Sequence, residues 1–439
     1  MLSDLPLTLV MCAVYFRLGG KSLLWMLPSL LEQTRSCRIT TLLVIPLLAL
    51  RADIEARLQR HGIQYVRFSP AIETKMLDTV YPFPYVVVAG VEDLGDALLR
   101  HVLLNHSFIR RLILDEAHLW ITSSSYRPAM QRVVGLAKSG LGMLLLSATM
   151  TSEMWSHLKA AFQLQHVTCT VLRTPSTARL NVKYSVQHVV DDSAAQILTA
   201  QLISAQAAIS SGGGMCIVFC LTKRVSNSIA EYLRTALPPA TMIFSYHSDR
   251  SAEDRHGISK AVRSQTSLQP IVVVATMGFG TGIDLPNVDL VINIGGATSL
   301  LEYNQESGRS GRDGRRADAV WIECPHSSRV RDYVLPPAQR MPWESYSMLQ
   351  NYALPDHHSD VCCRRVSLAR SVDDEQCKSC QAWQDSQLPG TAVQLCDVCE
   401  LALSRLLEAH GSYAYSLRCS FLESNHHLLL EFQNSPCSR

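Results

Sequence analysis

"LILDEAHLW" runs from Leu112 to Trp120. Three large aliphatic residues stop at two adjacent acids, Asp115 and Glu116, followed by Ala117 and His118. Such a run predicts a parallel strand buried on both faces, with its polar groups gathered at the carboxyl end. Ligand-handling residues collect at that end in open α/β sheets. Hydrolysis of a nucleoside triphosphate needs one carboxylate to hold magnesium and another to position or activate water. Two acids at a strand end supply both. Read alone, the same four residues fit a polar turn that merely ends a strand.

Working outward, "TLLVIPLL" (41–48), "YVVVAG" (85–90), "RLILDE" (111–116) and "LGMLLLSAT" (141–149) are short apolar runs of the same kind. "LRADIEARLQRHG" between the first two has a helical pattern. The N-terminal "LPLTLVMCAV" reads as another buried strand, too short for a membrane span and without the basic flank of a signal peptide. The stretch 170–185, with Pro175 and few apolar positions, reads as a linker. Beyond it, "MCIVFC" (215–220), "TMIFSY" (241–246), "PIVVVAT" (270–276), "VDLVINIG" (288–295) and "ADAVWIE" (317–323) repeat the strand–helix rhythm. Two tandem α/β domains with parallel sheets are therefore expected, over 1–175 and 176–340. From about residue 340 the chain turns rich in Cys, Asp and Ser, then helix-like in "LCDVCELALSRLLEAH". We expect a small module over 341–400 and a tail over 401–439.

The 439 residues are 47% hydrophobic and 18% charged, enough for filled cores and far from a disordered composition. The net charge of +2 neither favours nor excludes a nucleic-acid partner, since a basic groove can sit on a neutral chain. The 14 cysteines come without a secretory signal and read as reduced thiols, which points to an intracellular protein. Six of the 14 fall between Cys362 and Cys399. Cys377 with Cys380 and Cys396 with Cys399 form C-x-x-C pairs, the spacing that tetrahedral zinc asks for. His357 and His358 read as solvated loop residues.

Gly19-Gly20-Lys21-Ser22 resembles the end of a phosphate-binding loop, although that pattern wants a glycine where Tyr15 stands. Ser147-Ala148-Thr149 closes the 141–149 run. In the second half, "VVVATMGFGTGIDLPNVDLVIN" carries Asp284, and "EYNQESGRSGRDGRR" sets Gln305, Gly308, Arg309, Gly311 and Arg312 in the order Q-x-x-G-R-x-G-R. Arginines three apart are expected on one helix face. Two guanidinium groups there would neutralise charge developing on a γ-phosphate. A plain solvated helix leaves the glycines unexplained, because each costs about 1 kcal/mol in a helix interior.

The ordered set GGKS, "VIPLLAL", DEAH, SAT, "MGFGTGID" and "QESGRSGRDG" resembles a superfamily 2 helicase. With "YHSDRSAEDR" (246–255) and the cysteine-rich tail, it resembles the RecQ-like DEAH-box DNA helicases, their fungal relatives in particular, over roughly residues 9–400. The resemblance implies two RecA-like P-loop NTPase domains clasping ATP and Mg2+, followed by a small helical module holding structural Zn2+. It implies 3′ to 5′ unwinding of duplex DNA at junctions with single strands. A nuclear place in repair and recombination, away from any membrane, goes with that role. Carried over, Gly19, Gly20, Lys21, Ser22, Asp115 and Asp284 bind the nucleotide and its metal, and Glu116 is the general base. Gln305, Arg309 and Arg312 complete catalysis, with Arg312 the favoured arginine finger. His118, Ser147 and Thr149 couple hydrolysis to movement. Trp120, Tyr126 and Arg127 occupy the family's aromatic-rich loop, where rings stack on single-stranded DNA. For Trp120 a packed aromatic is an equally good reading. The implied zinc ligands are Cys363, Cys377, Cys396 and Cys399, with Cys380 able to substitute.

The chain also departs from the family pattern. Relatives carry P-T-G-x-G-K-S where this chain has Arg17 and Leu18 ahead of Gly19. Leucine at a position that uses glycine's freedom stores about 1–3 kcal/mol of strain. Only 20 residues precede Lys21, so the upstream adenine-recognising segment is expected to be missing. Only 40 follow Cys399, too few for a full winged-helix domain. Two functions therefore stand side by side: an ATP-driven DNA helicase, and a nucleic-acid-binding remnant without productive turnover. Nothing in the motifs reads a 2′-hydroxyl, and the cysteine module tilts the choice from RNA to DNA.

Overall fold

The computed structural model describes residues 10–14, 20–46, 48–68, 84–93, 95, 98, 102, 108–122, 133–137, 140–173, 179, 181–209, 214–264, 269–276, 279, 285, 287–335, 340, 352 and 368. The chain divides into two compact units, Met1–Pro175 with Gly280–Asp284, and Ser176–Phe279 with Leu285–Arg439.

The first unit is built on β1 (Val10–Val14), β2 (Thr40–Ile45), β3 (Tyr65–Arg67), β4 (Val86–Gly90), β5 (Ile109–Leu114), β6 (Gly142–Ser147) and β7 (Cys169–Arg173). They form one sheet in the order β3-β4-β2-β5-β6-β1-β7, every pair parallel. Leu42, Leu43, Val44, Val86, Val87, Val88, Leu112 and Leu114 are wholly buried, which is why these strands read as unbroken apolar runs. The helices are α1 (Gly20–Thr34), α2 (Leu48–Arg60), α3 (Leu119–Thr122), α4 (Val133–Ala137) and α5 (Ser152–Ala161). Trp25 and Met26 of α1 pack in one cluster with Ile54 and Leu58 of α2 and Leu43 and Val88 of the sheet. Because β6 lies between β1 and β5 and all three are parallel, their carboxyl ends lie side by side at one sheet end.

The second unit repeats the plan with β8 (Val182–His188), β9 (Met215–Cys220), β10 (Met242–Tyr246), β11 (Ile271–Thr276), β12 (Val288–Ile294) and β13 (Ala317–Glu323). Their order is β10-β11-β9-β12-β13-β8, again parallel throughout. Its helices are α6 (Asp192–Ile209), α7 (Lys223–Ala236), α8 (Ala252–Arg263), α9 (Leu300–Ser307) and α10 (Ser327–Val334). Ile229, Ala230 and Leu233 of α7 pack against Val218, Val272, Val274 and Ile292 of the sheet. Tyr303, Trp321 and Tyr352 stack with ring centroids 5.0, 5.1 and 5.5 Å apart.

The stretch 170–185, expected as a linker, instead contributes to two strands. β7 lies along β1 and β8 along β13, each at the edge of its sheet. An edge strand needs less apolar surface, and Val171 and Leu172 stay 39% and 37% exposed. The alternation Val182, Tyr184, Val186, all buried, was nonetheless present in the sequence as a period-two signal. Among the described residues no helix is long and apolar enough to cross a membrane. The expected cysteine-rich module and tail lie outside the described residues, apart from Tyr352 and Leu368. Asn304 Nδ2 donates to the Leu368 carbonyl at 3.0 Å.

Candidate nucleotide-handling sites

In the first unit, α1 begins at Gly20 and carries Lys21 in its first turn. Lys21 Nζ lies 3.2 Å from Glu116 Oε1. Glu116 follows β5 in a turn that is tied to both neighbouring strands. Asp115 N donates to Val44 O at 3.3 Å and Ala117 N to Leu146 O at 2.7 Å. Within the turn, Glu116 N donates to Asp115 Oδ1 at 2.9 Å. Glu116 has φ +45°, a left-handed conformation that L side chains rarely adopt and that clusters at functional positions. Burial pushes the Asp115 carboxyl above the ordinary carboxylate range; the Lys21 ammonium opposes this and the Glu116 carboxylate adds to it.

His118 is buried, and burial lowers its pKa to about 4, so the imidazole is neutral at pH 7. Its Nδ1 is 3.0 Å from Ser147 Oγ and 3.5 Å from Glu116 Oε2. Ser147 Oγ donates to Thr149 O and accepts from Thr149 N, both at 3.1 Å. With Ser147 Oγ donating to Thr149 O, its contact with His118 fits the tautomer protonated on Nδ1. The line Lys21, Glu116, His118, Ser147, Thr149 is thus continuous, and the structure brings together motifs read separately in the sequence. Arg57 of α2 joins them unannounced: it pairs with Asp53 at 2.7 Å and its Nη1 stands 3.5 Å from Ser22 Oγ. The i, i+4 pairing with Asp53 was legible on the helix, while its place beside Ser22 was not.

Of the two readings open for Trp120, the structure favours packing. At 3% exposure the ring is packed, with α3 lying against α5, and offers no face to a base. Tyr126 and Arg127 lie outside the described residues, as do Gly19, Asp284 and the cysteines Cys363, Cys377, Cys396 and Cys399. Among the described residues no group of three or more His, Cys, Asp or Glu is placed to hold a metal.

In the second unit, α9 is capped by Ser299, whose Oγ accepts from Glu302 N at 3.1 Å. It carries half-buried Gln305 and stops at Ser307. Arg309 and Arg312 therefore do not share a helix face as expected. They sit in consecutive turns, Arg309 buried at 5% exposure and Arg312 exposed. The glycines explain why the helix ends. A Cβ on Gly308 would meet Asn304 O at 2.7 Å. Gly311 has φ +54°, and a Cβ there would come within 2.6 Å of Asn181 Nδ2 and 2.7 Å of Arg315 O. Below the turn, Glu306 accepts from Asn293 Nδ2 at 2.5 Å, and burial raises its carboxyl well above the usual range. Arg179 and Asn181, both buried, reach this turn from the start of the unit. The sequence reading missed them because they lay in the presumed linker.

Comparison with known proteins assigns both halves. Residues 19–156 match the DEAD/DEAH box helicase family and residues 196–314 the helicase conserved C-terminal domain. The chain is 31% identical over 320 residues to ATP-dependent DNA helicase Q-like 4B of Arabidopsis thaliana, covering 69% of this chain and 26% of that protein. It is 26% identical over 379 residues to ATP-dependent DNA helicase RecQ of Pasteurella multocida (strain Pm70), covering 83% of this chain and 55% of that one. The chain thus spans from about a quarter to somewhat over half of these relatives. Among solved structures, Mycobacterium smegmatis helicase Lhr bound to ssDNA and AMP-PNP aligns with TM-score 0.55 at 20% identity, over 85% of this chain and 52% of that one. Mss116p bound to ssRNA and AMP-PNP aligns with TM-score 0.59 at 18% identity, over 80% and 78%. At such identities the likeness speaks for the fold, two tandem helicase domains on parallel sheets.

Proposed function

We propose, for a chain that is a RecQ-like superfamily 2 helicase, that it couples ATP hydrolysis to 3′ to 5′ unwinding of duplex DNA. The observation that carries this reading is the line of contacts from Lys21 through Glu116 and His118 to Ser147 and Thr149. An ammonium, a hydroxyl and two carboxylates are hard groups suited to triphosphate and Mg2+, so the residues present fit both. Lys21 would meet the β- and γ-phosphates, and Ser22 and Asp115 would hold the Mg2+, which when bound would supply neutralisation of phosphate charge. Glu116 accepts the proton of the attacking water. To do so it exchanges its present partner, Lys21, for water as the ammonium turns to the phosphates. That exchange is felt at His118, whose Nδ1 stands 3.5 Å from Glu116 Oε2 and 3.0 Å from Ser147 Oγ, and through Ser147 at the backbone of Thr149. Arg309 and Arg312 serve the γ-phosphate, and Gln305 positions water. The C-x-x-C pairs support a structural Zn2+, and the family resemblance favours Cys363, Cys377, Cys396 and Cys399 as its ligands. Nuclear action follows from a DNA substrate.

The second reading, a DNA-binding remnant without turnover, is favoured by Arg17 and Leu18 in the phosphate loop. One assay separates the two: ATP hydrolysis by the purified chain with and without single-stranded DNA, beside Glu116→Gln. Turnover that rises with DNA and disappears in the variant supports the helicase. DNA binding without turnover sinks that reading and leaves the remnant.

A further inference from the structure

We propose that Arg179 is a positioning residue that sets the direction of the catalytic arginines. The claim rests on the helicase reading of Arg309 and Arg312. Arg179 is buried, and its guanidinium is wrapped by the turn that bears them. Nη1 donates to Gly308 O at 2.8 Å, and Nη2 donates to Ser310 O at 2.7 Å and Gly311 O at 2.8 Å. Two residues on, Asn181 Nδ2 donates to Gly311 O and to Arg315 O, both at 2.7 Å. From the opposite side, Gly311 N donates to Val288 O at 2.8 Å, tying the turn to β12.

Three carbonyls from a four-residue stretch converge on one side chain. Carbonyls that all point inward fix the peptide planes between them, and with those planes the directions in which the side chains of residues 309 and 312 leave the backbone. A guanidinium suits the task because its donors form a rigid planar fork that serves several acceptors at once. An ammonium carries the same charge as a single point and cannot reproduce the fork. Arg179 meets no phosphate in this scheme and acts only through the turn. Misplacing a catalytic group by about 1 Å costs on the order of 100-fold in rate, so the alignment matters more than the charge.

The test compares the full chain with Arg179→Lys and Asn181→Ala by amide hydrogen exchange and by steady-state kinetics. Arg179→Lys should speed exchange at residues 308–311 at least about 10-fold, while β12 and β13 keep their protection. With single-stranded DNA it should lower kcat for ATP about 10- to 100-fold and leave KM within about 3-fold. Asn181→Ala, which leaves the Arg179 fork in place, should show a smaller effect of the same kind. Unchanged exchange at 308–311 overturns the proposal. So does loss of protection throughout the second unit, which would make Arg179 a general structural group. A normal kcat with a loosened turn also overturns it. If the wild-type chain does not turn over ATP, the helicase reading fails, and the exchange result alone decides whether Arg179 holds the turn.

Discussion

Glu116 is the base of the proposed reaction, and its backbone is unusual. Its left-handed backbone costs about 1–3 kcal/mol, which the ties of its turn to β2 and β6 sustain. Glu116→Gln keeps the shape and removes the base, so DNA-stimulated kcat should fall by about 100-fold or more with ATP affinity little changed. Rapid-quench or coupled-enzyme turnover with a nucleotide-binding titration checks this. His118 gives a separate prediction from pH. Its pKa is about 4 in the fold against 6.5 ordinarily, so between those values the unfolded chain takes up a proton that the folded chain refuses. The stability contributed by the neutral imidazole is complete above about pH 6.5 and is lost as pH falls toward 4, up to about 3 kcal/mol. Asp115 and Glu306, raised by burial, act in the opposite sense, since each binds a proton more readily folded than unfolded. The difference between wild type and His118→Gln in urea midpoints at pH 4.5 and 7 therefore isolates the histidine. Removing it should flatten the acid loss.

At the scale of elements, the arginine-bearing turn depends on its glycines for two different reasons. At Gly311 a side chain meets both a positive φ and a backbone oxygen 2.7 Å away that cannot yield cheaply. At Gly314, φ is +86° and nothing lies within 4 Å of the added Cβ. Gly311→Ala should thus cost about 3 kcal/mol or more in urea unfolding of the second unit, and Gly314→Ala about 1 kcal/mol. Equal costs would mean that the turn gives way around residue 311. The Glu116-bearing turn of the first unit is held otherwise, by main-chain bonds to strands on both sides, and needs no glycine.

At the scale of the whole molecule, two sheets with separate cores make a single cooperative transition unexpected. Urea unfolding should show two steps, with loss of protection in β11 to β13 separable by hydrogen exchange from loss in β2, β4 and β5. Coincident transitions would show strong coupling of the units. Metal analysis addresses the remainder of the chain. The purified protein should carry about one zinc per chain, and Cys396→Ser with Cys399→Ser should remove it. Full retention by that double variant would exclude those ligands.

The tandem α/β plan and the identity of most motif residues were legible in the sequence. The reason is that both are written in local signals. A strand buried on both faces must be apolar at every position, as "TLLVI" and "IVVVA" are, and acids or small residues mark where it meets a ligand. Other features were decided by tertiary structure alone. Arg57 stands beside Ser22 only because α1 and α2 pack in one cluster on the first sheet, and Trp120 is buried where α3 packs on α5. Arg309 and Arg312 lie beyond the helix in turns where Gly311 fits closely against Asn181, and Arg179 finds Gly308 across 129 residues of chain. Spacing along the chain determines which groups share a helix face or end a strand. It carries no information about a guanidinium ahead of β8 that closes on the turn leading into β13, because that contact exists only once the core of the second unit has formed.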